Sequence, residues 1–181
     1  MQSQDAYRYL WLAVAVANYL TAVKRKKVFV VELSDRNGLK EMAHNFNHNI
    51  GDGEYFELFG VRYYPYYKEK LLPKLLRENC NYIIFSGLKL YGNRNVDLSD
   101  YHRKLLVGSL KFWESAEYEA CLNRLWKEGI TKEYFFLAEY FECGGVRHIE
   151  KEKDISFVKL PAELNPFRIK RTEFCFFESF L

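Results

Sequence analysis

Residues 24–38, KRKKVFVVELSDRNG, decide the fold. A basic start runs into Val28, Phe29, Val30 and Val31 with no polar alternation, and Glu32, Leu33, Ser34 and Asp35 then lead to Gly38. An uninterrupted β-branched run marks a strand covered on both faces, which is the condition of a parallel sheet flanked by helices. Its polar end has two readings: the lip of a ligand site, or a core strand meeting water.

Working outward, Tyr9–Val23 is uncharged and reads as a helix buried inside the domain. It is too short for a bilayer and carries Asn18, Tyr19 and Thr21. Asp5 near the start also argues against a basic leader. Downstream, Leu39–Phe46 reads as a short helix. Glu54–Phe59 and Val61–Tyr66 read as extended pieces around Gly60, with Pro65 placing the second at an edge. Lys68–Asn79 is amphipathic, and Pro73 marks its first turn. Strands follow at Asn81–Phe85, Lys104–Val107, Glu133–Phe141 and Ile155–Leu160, with a polar loop over Gly87–Asp100. Ser115–Lys127 is a helix with Ser115 as N-cap, and Glu173–Leu181 closes the chain with Phe174, Phe177 and Phe180 on one face. This alternation predicts a single α/β domain over 1–181, with a mostly parallel sheet and helices on both faces.

Composition narrows the function classes. With 49% hydrophobic and 28% charged residues the chain is a folded globular protein. The 27 basic residues nearly balance 24 acidic ones, so nucleic acid is not an expected partner. The aromatic and basic stretch VRYYPYYKEK, residues 61–70, reads better as a packed hairpin than as a base-stacking platform. Cys80, Cys121, Cys143 and Cys175 lack the close pairing of zinc sites and read as reduced thiols, which implies a cytoplasmic protein. His44 and His48 lie four apart with Glu41, a spacing that can hold a metal, but an exposed helix face explains them better and no metal site is expected. No G-x-S-x-G turn supports a serine nucleophile.

In open α/β sheets ligands bind beyond the carboxyl ends of the strands. The windows of interest are therefore Glu32–Asp35, Ser86–Tyr91, Ser109–Glu114 and Glu139–Gly145. Here LAVAVANYLTAVKRKKVFVVELSDRNG, residues 12–38, resembles the helix, strand and turn that follow the phosphate loop in MinD/ParA-like P-loop ATPases, the group that includes CpaE-type pilus proteins. NYIIFSG (81–87) is similar to the strand that carries the family's magnesium-site aspartate, RKLLVGSLKFWE (103–114) to its next strand, and VKLPAELNPF (158–167) to its late strand and proline segment.

The resemblance implies a P-loop NTPase-like fold and, in working members, ATP with magnesium. That chemistry needs a glycine-rich loop whose backbone N–H groups wrap the phosphates. The first glycine here is Gly38, and MQSQDAYRY ahead of the helix contains neither glycine nor lysine. The family's magnesium-site aspartate falls on Ser86, and its acidic pair on Glu32 and Ser34, with Asp35 one residue along. No adenine-reading asparagine matches in FFLAEYFECGG, residues 135–145. The expectation is a noncatalytic domain with no catalytic residues and no cofactor, keeping Glu32, Ser34, Asp35 and Ser86 as remnants of a nucleotide site. It would act as an interaction or regulatory module in envelope or pilus machinery, with a protein partner or a homodimer and peripheral membrane contact. The alternative is the main part of an ATP-dependent switch whose phosphate loop lies upstream, with ATP and magnesium bound only in that longer form. The family's central first strand is also lacking: either AYRYL, residues 6–10, improvises it, or the sheet has a gap.

Overall fold

The computed structural model describes residues 4–34, 37–48, 50, 55–68, 70–87, 101–111, 115–139 and 144–181. They belong to two compact units, one of residues 1–89 and 165–170, the other of 90–164 and 171–181. The expected α/β class and mostly parallel strands are present, and strand pairing among the described residues runs in two sheets.

The first unit runs α1 (Gln4–Ala22), β1 (Val28–Glu32), α2 (Gly38–Asn45), β2 (Phe56–Leu58), β3 (Val61–Tyr64), α3 (Leu71–Arg77) and β4 (Tyr82–Ser86). Its sheet has the order β2-β3-β1-β4. β1 lies parallel to both neighbours, with Val30 opposite Tyr63 on one side and Ile84 on the other. The uninterrupted apolar run has its expected cause, since every residue of β1 is buried. Val28, Phe29, Val30 and Val31 are fully buried, each contributing about 1.5–3 kcal/mol relative to exposure. Phe29 and Val31 meet Tyr64, Leu71 and Leu75 on the face that α3 covers. α1 packs on β1, β3 and β4. Successive strand residues point to opposite faces, so the two helices cover the two sides of β1.

Three sequence expectations change here. AYRYL lies inside α1 and improvises no strand. Pro65 does not place Val61–Tyr64 at an edge: it falls just past the strand, where no ladder N–H is required, and β2 is the edge instead. α3 begins at Leu71, two residues before Pro73, which still sits in the first turn where a missing N–H costs nothing. Among the described residues no helix is long and apolar enough to cross a membrane.

Residues 165–170 complete this unit. Asn18 Nδ2 donates to the Pro166 carbonyl at 2.8 Å. The Phe167 ring meets Trp11, Phe46 and Phe59 at centroid distances of 5.9, 5.2 and 5.8 Å.

The second unit runs β5 (Lys104–Ser109), α4 (Ser115–Lys127), β6 (Tyr134–Glu139), α5 (Gly144–Lys153), β7 (Phe157–Lys159) and α6 (Phe174–Glu178). Its sheet, β5-β6-β7, is parallel throughout. Tyr118, Leu122 and Leu125 of α4 pack with Phe136, Val146 and Phe157. Gly108 is required here, because the Tyr118 ring occupies the space a Cβ would need. The Tyr118 hydroxyl donates to the carbonyls of Leu106 and Leu137, both at 3.2 Å.

α5 has no counterpart in the sequence reading. Its amphipathic signal is short, and one turn of its inner face is the buried stem of Lys153, whose ammonium lies 4.8 Å from the Trp126 ring. The closing helix is shorter than expected, yet Phe177 and Phe180 are buried as the spacing predicts, with Phe174 half-buried. The predicted loop over Gly87–Asp100 lies outside the described residues beyond Gly87.

Candidate functional site at the strand ends

Glu32 closes β1 and is 3% exposed. Its carboxylate is filled by the protein's own donors. Oε1 accepts from the Gly38 backbone N–H at 3.0 Å and from the Ser34 hydroxyl at 2.6 Å, and Oε2 accepts from the Leu39 N–H at 2.8 Å. The helix N-terminus needs such an acceptor, because the first N–H groups of α2 have no partner inside the helix. Asn37 stands at the N-cap position with φ 57° and its side chain makes no capping hydrogen bond. A carboxylate from the preceding strand therefore does the capping, where the helix dipole also favours negative charge.

Ser86 lies opposite Glu32 in the parallel register and is 6% exposed. Its carbonyl accepts from the Leu33 N–H at 2.8 Å. Gly87 follows with φ +85°, and a Cβ there would lie 2.8 Å from Ser34 Cβ, so only glycine lets the end of β4 close on the turn after β1. Glu32, Ser34 and Ser86 are thus brought together. Asp35 lies outside the described residues.

The second unit repeats the arrangement with different chemistry. Glu139 ends β6 opposite Ser109 of β5. The Lys111 ammonium meets Glu139 Oε2 at 2.5 Å, with both side chains about a quarter exposed. Ser109 Oγ accepts from the Lys111 N–H at 3.2 Å, and the Glu139 carbonyl accepts from the Leu110 N–H at 2.8 Å. Lys111 and Glu139 fall within windows that the sequence marked only as strand ends. Their pairing is a matter of cross-strand register, which no local pattern encodes.

The structure also places the other residues that the sequence singled out. α2 ends at Asn45, so His44 and His48 do not share a helical face, and the His48 ring lies 5.8 Å from Phe56. Among the described residues no group of three metal-ligating side chains gathers. In the aromatic and basic stretch, Tyr63 and Tyr64 are fully buried while Tyr66 is exposed. Burial pushes the Tyr63 phenol well above its ordinary range. It pushes Tyr64 up to about 12, with the Glu78 carboxylate adding to the shift. Arg62 pairs with that same Glu78 at 2.7 Å.

Parallel strands, helical crossovers and polar strand ends define an α/β fold. Among solved structures, the chain is similar to the MinC:MinD cell division protein complex of Aquifex aeolicus, with a TM-score of 0.56 and 11% identity, over 93% of this chain and 79% of that chain. At that identity the likeness shows the fold alone, which is MinD-like. No family model matches the chain. No curated protein matches it.

Proposed function

We propose that this chain is a noncatalytic MinD/ParA-like domain that works as an interaction or regulatory module in envelope or pilus machinery. The observation that carries the reading is the Glu32 carboxylate, which takes three internal donors and caps α2. A site for magnesium assembles charged oxygens around a hard cation. Here Ser34 donates a hydrogen bond to the buried Glu32 carboxylate, and Ser86 brings a hydroxyl with no charge. These residues do not fit a magnesium-nucleotide centre, and no step of ATP chemistry is assigned to them. The partner in this reading is a protein, the compartment is the cytoplasm, and any membrane contact is peripheral.

Thermal denaturation in the presence of ATP or ADP with magnesium tests it. Ligand at about 100 times its dissociation constant adds about 2.7 kcal/mol of stability. The expected result is an unchanged melting temperature, and a clear rise overturns the reading.

One observation favours a second function. α1 packs across β1 and β4 and then feeds β1, which is how a crossover helix behaves between two parallel strands. A strand ahead of α1 would support the main part of an ATP-dependent switch, with its phosphate loop upstream and ATP and magnesium as cofactors. Steady-state hydrolysis by such a longer form would establish this function, and a longer form without hydrolysis would remove it.

A further inference from the structure

Phe59 stands at a position whose backbone suits other residues better. It opens the two-residue turn that joins β2 to β3, with Leu58 paired to Val61 across the hairpin. Both turn residues have positive φ, 51° at Phe59 and 77° at Gly60, a combination that suits Asn-Gly and that a phenylalanine adopts only under strain. Burial does not offset the strain, because the ring is 60% exposed. It belongs to a row of rings at the surface of the first unit. Phe167 lies between Trp11, Phe46 and Phe59, and Trp11 and Phe46 are themselves 47% and 40% exposed.

One end of this row is basic. A Cβ on Gly60 would lie 3.4 Å from Thr21 Cγ2, so the hairpin turn abuts the last turn of α1. The chain leaves that helix through Lys24, Arg25, Lys26 and Lys27, all exposed. The Lys26 N–H donates to the Leu20 carbonyl at 3.0 Å around Arg25 at φ 56°, a helix-ending motif whose left-handed position ordinarily holds glycine. Arg168, next to Phe167, is exposed as well. At neighbouring turns, then, an aromatic and a cationic side chain each stand in left-handed backbone with little burial in return.

We propose that this surface docks a linear, acidic segment of a protein partner, with apolar or aromatic side chains seated on Trp11, Phe46, Phe59 and Phe167 and carboxylates on the basic turn at residues 24–27. The helical rise sets Trp11 roughly 16 Å from Ala22, so rings and cations form a strip, the length of about five residues of extended chain. A strip calls for a linear ligand, whereas a bilayer has no preferred axis. A second copy meeting the patch about a two-fold brings the same basic turn in place of carboxylates. Aromatic and arginine side chains are also the ones that dominate binding energy at protein interfaces. This specifies the partner of the interaction module proposed above and rests on that reading. A nucleotide-induced rise in melting temperature would remove the module reading without changing the peptide result, so the two fail separately.

Selection of a displayed library of random peptides against the full chain, followed by affinity measurements on the enriched peptides, provides the test. The expected result is a consensus that combines Asp or Glu with Phe, Trp or Leu, and binding that weakens as salt rises. Phe59→Asn suits the positive φ, so its melting temperature should not fall, while its affinity for the enriched peptides should drop roughly tenfold or more. Should that variant lose stability, Arg25→Gly tests the basic end alone: it fits the left-handed position and should weaken binding with a shallower salt dependence. Lost affinity with retained stability is an outcome that a purely structural role for these side chains would not produce. The proposal is overturned by a selection that enriches nothing, by a neutral or basic consensus, or by peptides that bind the folded variants as tightly as the parent chain. Sedimentation with phosphatidylglycerol vesicles that depends on Phe59, or a dimer that Phe59→Asn dissolves, overturns it too, in favour of a bilayer or a second copy.

Discussion

The two units end their central strands alike and use the ends differently. In each, a glutamate closes the strand and faces a serine on the neighbouring strand: Glu32 with Ser86, and Glu139 with Ser109. Glu32 is buried and held by uncharged donors at a helix start, whereas Glu139 is a quarter exposed and held by a lysine. The same residue at the same register is thus a cap in one unit and half of an ion pair in the other. A carboxylate at a strand end is by itself no sign of catalysis; what it accepts from decides its role.

Three substitutions can break or sharpen that contrast. Glu32→Ala should have the largest effect, because it strands two buried N–H groups and the Ser34 hydroxyl, a loss of about 3 kcal/mol in urea unfolding. A loss as small as that of a surface residue would mean that α2 finds another cap. Glu139→Ala should cost less than about 1 kcal/mol, since a partly exposed ion pair returns little over hydrated charges. If its cost equals that of Glu32→Ala, the two strand ends are equivalent after all.

The smallest effect at neutral pH should come from Tyr64→Phe, which removes one buried hydroxyl and leaves the Arg62–Glu78 ion pair beside it in place. Its signature lies in alkali. The folded-state value of about 12 stands above the ordinary 10.0, so folding favours the protonated phenol. That stability is fully present below pH 10 and is lost as pH rises from 10 towards 12. Denaturation midpoints across this window should fall less steeply in Tyr64→Phe than in the parent chain. In the second unit the Tyr118 hydroxyl donates to two carbonyls, and equal slopes in the parent and Tyr64→Phe would place the alkaline sensitivity outside Tyr64.

Much of the fold was legible because burial leaves a pattern. The unbroken apolar run of β1 announced a strand covered on both faces, and the three-residue spacing of Phe177 and Phe180 announced their burial, although Phe180 lies just past the end of α6. α5 escaped because a lysine stem covers core surface that the eye assigns to apolar residues. Pro65 misled because its meaning depends on whether the strand has already ended. At the candidate site, the sequence marked Glu32 and Ser86 as residues at strand ends. It could not show that Glu32 already has three donors, because those depend on how Ser34, Gly38 and Leu39 fold back around it.

The short excursion of residues 165–170 into the first unit sets an order of events in synthesis. The Pro166 carbonyl is the acceptor for Asn18, 148 residues away, and Phe167 joins a cluster with Trp11, Phe46 and Phe59. A nascent chain can pair β1, β3 and β4 early, but it cannot finish that unit until nearly all of its length has left the ribosome. Until then Asn18 lacks the Pro166 carbonyl, and Trp11, Phe46 and Phe59 lack the ring that joins them.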